Sequence, residues 1–252
     1  KIVRLGRRAK YLLAFLDDGA VLIMHLGMSG SFRVAGDEAP GAFVFPRGKI
    51  AAHDHVRFVL GPREVIYNDP RRFGFMNLAA AAELEAHPYF AGLGVEPLAG
   101  DLTAEGLARA LAGKRTPLKA ALLDQRVIAG LGNIYVCEAL WRARLSPKRL
   151  AETVVGRNGR PTAQTRLLAS SIINVIAEAI EAGGSSLRDY VAADGSLGRF
   201  QHTFAVYDRE HAPCPREGWT DARRTETGVE IPADPRRQSR VHIGAHIAEC
   251  DS

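Results

Sequence analysis

Short runs of apolar residues mark the first third of the chain and predict β-strands. The runs YLLAFL (residues 11–16) and AVLIMHL (residues 20–26) are separated by Asp17-Asp18-Gly19. An Asp-Gly pair between two apolar runs favours a tight hairpin. Further along, HVRFVL alternates Val56, Phe58 and Leu60 with its other residues, and EVIYN follows a Gly-Pro turn. The sequence therefore predicts β-structure up to about Leu78, with a loop over residues 34–50 that is rich in Gly and Pro.

From about Leu102 the apolar residues recur at helical spacing instead. We expect Thr103 to cap one helix, and Thr116 to cap a second that has Pro117 at its first position. A Gly-rich turn, AGLGN, then leads into a helix that begins near Asn133. A long helix is predicted from about Thr162 to Gly183-Gly184, with one apolar stripe that comprises Leu168, Ile172, Ile176 and Ile180.

This change of pattern predicts an α+β chain in four parts. They are a β-rich N-terminal sandwich domain (residues 1–84), a linker (85–101), a helical domain (102–200) and a tail (201–252). In the tail, FAVYD (residues 204–208) resembles one strand, whereas residues 211–252 carry no periodic apolar pattern.

Composition excludes several classes of protein. The 252 residues are 46% hydrophobic and 24% charged, which is ordinary for a soluble globular chain and unlike a disordered, collagen-like or coiled-coil protein. Because no apolar run approaches the roughly 20 residues that span a bilayer, we expect no membrane partner. No apolar segment follows the basic first residues as in a signal peptide, and three scattered cysteines do not make a disulfide framework. We therefore expect a cytoplasmic protein.

The basic residues favour a nucleic-acid partner. The net charge is +5, and five basic residues among the first ten precede any acidic one. Further clusters are Arg71-Arg72, Lys114-Arg115-Lys119 and Arg142-Arg144-Lys148-Arg149. They fall at predicted element boundaries, where side chains can converge on one groove.

Three motifs combine residue types that packing alone does not explain. HLGMSG (residues 25–30) places the long apolar Met28 in a glycine-rich loop, and NDPRRFG (residues 68–74) predicts a turn from which Arg71 and Phe73 both project. The third, GLGNIY, opens a helix at Asn133, where backbone N–H groups favour a phosphate and the Asn side chain can cap the helix or reach the phosphate itself.

Several of the candidate residues also have a purely structural interpretation. Met28 and Phe73, taken singly, are typical of core side chains, and Lys10 is compatible with a solvated strand edge. In HDH, alternation along a strand would put His53 and His55 on one face, but no further metal ligand lies nearby in the sequence. Cys137, within the helix after GLGNIY, fits a small buried residue better than a nucleophile.

At these motifs the chain resembles the bacterial formamidopyrimidine-DNA glycosylase family, which excises 8-oxoguanine and formamidopyrimidines. The resemblance runs from about residue 7 to residue 210 and includes RRAKYLL, HDHV, GLGVEPL, GGSSLRDY and FAVYDRE. It implies a helix–two-turn–helix in the helical domain, with duplex DNA in the cleft between the two domains. Glycosylase action is followed in this family by strand cleavage through β- and δ-elimination, and the protein is expected to act as a monomer on DNA with oxidised bases or abasic sites.

The resemblance also implies roles for individual residues. Met28 and Phe73 fill the void left by the extruded base, and Arg71 hydrogen-bonds the unpaired cytosine. His53, Lys114, Lys119 and Asn133 contact DNA, as does Lys10, which lies near the reacting sugar and is the one retained candidate for the general acid or base. Residues 184–200 correspond to the segment that folds over the flipped base.

The chain departs from the family pattern at both ends. Family members begin with a nucleophilic proline and a catalytic glutamate, whereas this sequence begins at Lys1, so we expect a fragment with an incomplete first domain. The alternative to an active glycosylase is therefore a fragment that only binds damaged or abasic DNA. A third hypothesis, based on the helix–two-turn–helix alone, is a relative of ribosomal proteins or topoisomerases, but HLGMSG and DPRRFG argue against it.

The family usually ends in a four-cysteine zinc finger, and here only a degenerate version is expected. Cys214 is kept, but Trp219 stands where a second cysteine is expected. Suitable zinc-ligand types occur at Cys214, His242, His246 and Cys250, but their spacing is not that of a known finger. We therefore predict no metal ligand and no cofactor, and leave open whether zinc binds. Arg237 and Arg240 are both candidates for the arginine at the finger tip.

Overall fold

The computed structural model describes residues 1–35, 51–185 and 198–209, Pro215, and the strands at 223–225 and 228–230. Several predictions lie outside these residues: most of the loop at 34–50, most of the segment at 184–200, and the residues discussed for zinc and the finger tip. The described residues form two compact units, one of residues 1–91 and 179–202 and the other of residues 92–178 and from 203 onward. The boundaries between the four sequence-based parts stay a prediction.

The first unit contains two antiparallel sheets. Its strands are β1 (Ile2–Arg8), β2 (Tyr11–Leu16), β3 (Ala20–His25), β4 (Ser31–Ala35), β5 (Asp54–Leu60), β6 (Arg63–Asn68) and β7 (Phe75–Ala80). The order is β1-β2-β3-β7 in one sheet and β4-β6-β5 in the other. The hairpin at Gly19 is confirmed: this residue has φ of 82° and donates its N–H to the Leu16 carbonyl. Residues 34 and 35, which the sequence assigns to a loop, are the end of β4.

Four helices lie in the helical part of the described residues. They are α1 (Ala104–Leu111), α2 (Leu118–Leu123), α3 (Asn133–Arg142) and α4 (Ala163–Glu181). Together with the β-sheets they confirm the predicted α+β class. None of the described helices is long and apolar enough to cross a membrane. A further short hairpin pairs β8 (Arg223–Thr225) with β9 (Gly228–Glu230) in the tail.

The helix starts follow capping chemistry in one case and depart from it in another. Thr103 caps α1 as predicted, since its hydroxyl accepts a hydrogen bond of 3.0 Å from the Gly106 N–H. The prediction for α2 is wrong by one residue: Pro117 is itself the N-cap, and Thr116 makes no cap. The carbonyl of Thr116 instead accepts from the Ala151 N–H, so the chain before α2 is held as an extended segment.

The apolar stripe of α4 is also shifted from its prediction. Ile176 is only half-buried and Ile180 is 64% exposed, whereas Val175 and Ala179 are buried with Leu168 and Ile172. Steps of four residues rotate about 40° further around a helix with each step, so a repeat of four drifts off the core face. The buried residues follow the mixed spacing of four, three and four that keeps to one face.

The strand predicted at FAVYD is wrong, because a buried acid binds its backbone. Residues 204–208 form bends and turns. The carboxylate of Glu138 on α3, which is 1% exposed, accepts hydrogen bonds of 2.9–3.0 Å from the N–H groups of Ala205, Val206 and Tyr207. Three adjacent N–H groups that turn toward one carboxylate cannot alternate sides as they do in a strand.

The middle of the segment at 85–101 is packed: Phe90, Glu96 and Pro97 are buried, whereas both ends are exposed. Tyr89 and Phe90 contact the ring of Tyr11 in the first unit, with ring centroids 5.8 and 5.1 Å apart. In the second unit, the Gly94 N–H donates to the Gln125 carbonyl, and Val95 pairs with Ile128.

Candidate nucleic-acid interface

One row of paired residues brings Lys10 and two of the sequence motifs, HLGMSG and NDPRRFG, to the same end of the four-stranded sheet. Tyr11 pairs with His25, and His25 pairs with Phe75. The His25 ring lies 5.1 Å from Tyr11 and stacks on Phe75 at 5.4 Å. Lys10 precedes Tyr11, the loop at residues 26–30 that carries Met28 follows His25, and Phe73 precedes Phe75, so all three emerge at this end. Sequence reasoning does not single out His25 as central to the site, and only the strand register reveals it.

The Met28 loop (residues 26–30) is closed by local hydrogen bonds and presents its apolar side chain to solvent. The Gly30 N–H donates to the Leu26 carbonyl at 2.9 Å, and the Gly27 N–H donates to Nδ1 of His25 at 3.0 Å. Met28 is 64% exposed. A core role for Met28 is therefore excluded.

The tip loop (residues 69–74) carries the other two exposed side chains of the site. Arg71 is exposed and Phe73 is 57% exposed, so Phe73 is not a core aromatic. The guanidinium carbon of Arg71 lies 5.3 Å from the Phe73 ring centroid, within the range of a cation–π contact. As the sequence predicts, both project from one turn.

A buried carboxylate, which sequence reasoning missed, connects the two loops. Fully buried Asp69 accepts hydrogen bonds from the Ser29 hydroxyl (2.5 Å) and the Arg71 N–H (3.3 Å) on one oxygen. Its other oxygen accepts from the Gly74 N–H (2.8 Å) and the Tyr67 hydroxyl (3.1 Å). Burial alone would raise the pKa of Asp69, but these bonds prevail and lower it. The pKa of Tyr67 is raised, first by burial and then by its bond to this carboxylate.

Glycine allows the two loops to touch through their backbones. A Cβ added to Gly27, which has φ of 63°, would lie 2.6 Å from the Gly74 nitrogen. A Cβ added to Gly74 would lie 1.8 Å from the Tyr67 hydroxyl. Both glycines are therefore required by the close approach.

Lys10 lies in the two-residue turn between β1 and β2. Ala9 adopts φ of 50°, a conformation that costs a non-glycine residue about 1 kcal/mol, and the Arg7 guanidinium donates to its carbonyl at 2.8 Å. Lys10 is exposed as a whole, yet protein atoms around its ammonium group desolvate it and lower its pKa. Burial, and then the charge of Lys10, lowers the pKa of His25. Lys10 is thus a lysine from which a proton is more easily removed.

His53 adjoins the tip loop, but it does not lie in a strand with His55 as predicted. It ends a short 3₁₀ turn (Ala51–His53), and its carbonyl accepts from the Asp69 N–H at 3.0 Å. His55 is in β5, and its Nε2 lies 2.9 Å from the Asp69 carbonyl oxygen. Across the described parts of the chain, no three His, Cys, Asp or Glu residues are grouped to hold a metal ion.

In the second unit, the side chain of Gln125 spans the turn between α2 and α3. The Gln125 amide donates to the carbonyls of Leu123 and Leu131, and its oxygen accepts from the Gly130 N–H. The turn ends at Gly132, which is the N-cap of α3 without any side-chain cap. Asn133 is therefore the first helical residue, and a capping role for it is excluded.

The other predicted contacts of the helical unit differ in accessibility. The half-exposed Asn133 side chain hydrogen-bonds Tyr207 and lies 3.8 Å from the Cys137 sulfur. Lys114 is partly exposed, whereas Lys119 is 5% exposed and hydrogen-bonds Cys137, so burial lowers its pKa. Cys137 is fully buried, as predicted, and burial raises the pKa of its thiol to about 11.

The basic cluster at residues 142–149 is partly neutralised. Arg142 forms two hydrogen bonds, of 2.6 and 2.7 Å, to the carboxylate of Glu178 on α4. Arg149 donates to the hydroxyl of Thr153 at 2.9 Å. These side chains tie elements together, and clustering in the sequence does not distinguish them from arginines left for a partner.

Comparisons with known proteins agree with this geometry. The sequence profile of the formamidopyrimidine-DNA glycosylase N-terminal domain matches residues 1–76, and the profile of the H2TH domain of the same enzyme matches residues 93–191. The chain is 62% identical over 226 residues to the formamidopyrimidine-DNA glycosylase of Chelativorans sp. strain BNC1, covering 86% of this chain and 76% of that protein. It is 59% identical to the one from Rhizobium etli strain CFN 42, covering 90% and 80%.

Solved structures give the same result. The MutM (Fpg) protein of Thermus thermophilus matches with a TM-score of 0.74 and 40% identity, over 89% of this chain and 77% of that one. Lactococcus lactis Fpg in complex with DNA containing an abasic site matches with a TM-score of 0.76 and 33% identity, over 90% and 78%. Both domain profiles, the sequence identities and the fold thus agree that the chain belongs to the formamidopyrimidine-DNA glycosylase family.

Proposed function

We propose that this chain recognises damaged bases in duplex DNA and acts in base-excision repair, with oxidised purines as its substrates. Membership of the family supports a DNA glycosylase, and the Lactococcus relative was crystallised with DNA containing an abasic site. The observation that carries the proposal is the exposed trio of Met28, Arg71 and Phe73 on two loops that one buried carboxylate joins.

The trio has the chemistry that base extrusion requires. Turning a base out of the duplex costs a few kcal/mol of stacking and pairing, and it leaves a void and an unpaired partner base. Met28 and Phe73 supply apolar volume for the void. Arg71 presents a fork of N–H donors that can hydrogen-bond an unpaired cytosine.

Lys10 is the residue we assign to proton transfer. In the reaction that the resemblance implies, an amine attacks C1′ of the sugar, the base leaves, and a Schiff base forms between the amine nitrogen and C1′. Elimination then requires removal of a proton from C2′ and departure of the 3′ phosphate. A lysine whose pKa is lowered by desolvation is suited to accept or return such a proton. The attacking proline of the family is not among residues 1–252.

Contacts to the phosphates complete the proposal. We assign His53, beside the tip loop, and Lys114 and Asn133, in the helical unit, to the DNA backbone. Lys119 remains a predicted DNA contact, although its side chain is buried in this structure.

Two assays on duplexes of one base sequence test the proposed function. Band shifts compare a short duplex containing an abasic-site analogue opposite cytosine with the same duplex undamaged, and borohydride trapping uses 8-oxoguanine opposite cytosine. We expect clearly tighter binding to the abasic duplex. A trapped adduct would show that an amine within residues 1–252 attacks C1′, and a lower yield in Lys10→Met would show that Lys10 takes part. Lesion preference without any adduct would favour the alternative, a protein that binds damaged DNA without chemistry. Equal affinity for both duplexes would overturn the proposal.

Variants separate this function from that of an isolated helix–two-turn–helix. If Met28→Ala and Arg71→Ala reduce lesion preference, the β-rich unit takes part in recognition. Unchanged preference in both variants, with binding abolished in Asn133→Ala, would support the third hypothesis instead.

A further inference from the structure

Asp69 is bonded next to each of the three exposed side chains of the site. Ser29, which its first oxygen binds, follows Met28 directly. Arg71 donates its own backbone N–H to that oxygen. Gly74, which the second oxygen binds, follows Phe73 directly. A single carboxylate therefore fixes the backbone at or beside all three positions.

The hydrogen bonds of Asp69 to the backbone matter for the exposed side chains, because packing against the protein does little to position them. Met28 is 64% and Phe73 57% exposed, so packing restricts their rotamers little. Inserting a flexible loop into a duplex costs the conformational entropy of ordering its backbone, about 1–2 kcal/mol per residue. A loop that is already ordered avoids this cost.

The bonds of Asp69 are suited to a permanent link. An ionised carboxylate accepts about four hydrogen bonds, and those to a charged acceptor are the stronger kind. The four donors come from three separate parts of the chain: the Met28 loop, the end of β6 and the tip loop. Both oxygens of the carboxylate are thus engaged in holding these parts together.

We propose that Asp69 is a positioning residue that couples the Met28 loop to the tip loop, so that the apolar wedge and the base-reading arginine enter the duplex as one unit. This inference rests on the proposed function, because it assigns a cause to the geometry that recognition requires.

The coupling is measured by a mutant cycle on lesion binding. Dissociation constants for the abasic duplex are measured for the wild type, Met28→Ala, Arg71→Ala and the double variant, and the same four are made in an Asp69→Asn background. In the wild-type background we expect the double variant to depart from the product of the single effects by about threefold or more, as linked residues do. In the Asp69→Asn background we expect the single effects to multiply without such a departure.

Asp54 offers a matched control in the same unit. Its side chain is also nearly buried, and it accepts hydrogen bonds from Arg33 and Asn68 instead of from the two loops. We expect Asp54→Asn to lower stability but to leave the coupling between Met28 and Arg71 as in the wild type. A general loss of structure would remove the coupling in both backgrounds.

A milder variant keeps the test valid if Asp69→Asn fails to fold. Ser29→Ala removes the bond from the Met28 loop to the carboxylate and the 3.3 Å bond that the Arg71 N–H donates to the Ser29 hydroxyl. It leaves the carboxylate bonded to the tip loop. We expect it to reduce the coupling, whereas Ser29→Thr, which keeps the hydroxyl, restores it.

The outcomes separate the two proposals. If the wild type does not prefer the abasic duplex, the proposed function fails. If the wild type prefers that duplex and shows coupling, but the coupling survives both Asp69→Asn and Ser29→Ala, the positioning role fails while the proposed function stands.

Discussion

At the scale of single residues, the site combines exposed side chains with a buried support. Two motifs predict the exposed residues, because a methionine between glycines and an aromatic after a proline turn are locally unusual. Asp69 could not be predicted in the same way, since its donors lie as far as 40 residues away in the sequence. Only the fold brings Ser29 to it.

The role of Arg71 predicts a change in selectivity for the base opposite the lesion. Arg71→Ala should remove about 1–3 kcal/mol of the preference for cytosine at that position, which is typical of a lost bidentate base contact. Dissociation constants for abasic duplexes with each of the four opposite bases measure it. Exposed Arg72 is the control, and Arg72→Ala should keep the order of preference. Loss of affinity for all four duplexes alike would show that Arg71 binds phosphate instead.

The lowered pKa of Asp69 predicts how its contribution to stability depends on pH. A carboxyl whose pKa is lower in the folded state stabilises the fold at pH values above its pKa in the unfolded chain, about 3.9. This contribution is lost as the pH falls through the pKa of the folded state. The difference in unfolding free energy between the wild type and Asp69→Asn should be constant from about pH 5 to 8 and shrink below about pH 4. Urea unfolding at several pH values measures it.

Thr103→Ala provides the control for that titration. It removes a helix cap without an ionisable group and should cost about 1 kcal/mol at every pH. A difference for Asp69→Asn that grows in acid would contradict the sign given above.

At the scale of elements, the features set by neighbouring residues are predicted correctly, and those set by distant contacts are not. The hairpin at Gly19, the Thr103 cap and the start of α3 follow from neighbouring residues, and the sequence predicts them. The strand predicted at residues 204–208 fails because a helix residue far upstream decides the conformation of that segment. In α4, a repeat of four identifies the helix but not its buried face.

The carboxylate of Glu138 predicts a large effect on the stability of the second unit. Glu138→Ala leaves three N–H groups without their acceptor and should lower the unfolding free energy by about 3 kcal/mol. Glu138→Gln keeps one acceptor oxygen and should cost less. Guanidinium unfolding followed by circular dichroism measures both, and Glu105→Gln, on the exposed surface of α1, should stay within about 0.5 kcal/mol of the wild type. Equal effects of Glu105→Gln and Glu138→Ala would contradict this assignment.

At the scale of the whole molecule, the excess positive charge can attract DNA only through side chains that do not already bind groups of the protein. The net charge of +5 favours a polyanion, but Arg142 and Arg149 already bind groups within the protein. The sequence predicts the partner from charge and motifs together. It cannot tell which basic residues reach that partner, because ion pairing depends on the fold.

Lys114 predicts a change in salt dependence that is independent of the DNA sequence. Lys114→Ala should weaken binding to damaged and undamaged duplexes by the same factor and reduce the slope of log K against log[salt] by about 1. Titrations between about 50 and 200 mM salt measure the slope. Arg109→Ala removes a charge from the exposed side of α1 and should leave the slope unchanged. A loss confined to the lesion duplex would identify Lys114 as a base reader.

The bonds of Glu138 also determine when the second unit can finish folding. Its carboxylate binds N–H groups that lie 67 to 69 positions later in the chain. Contacts over such long separations form slowly, because a long loop must close before they yield any stabilisation. During synthesis, α3 is therefore complete well before its acid can leave water. In a nascent chain that stops before residue 204, the carboxylate of Glu138 lacks its three N–H donors and stays exposed to water. Synthesis of residues 204–207 is therefore the step that allows the helical unit to bury Glu138 and finish folding.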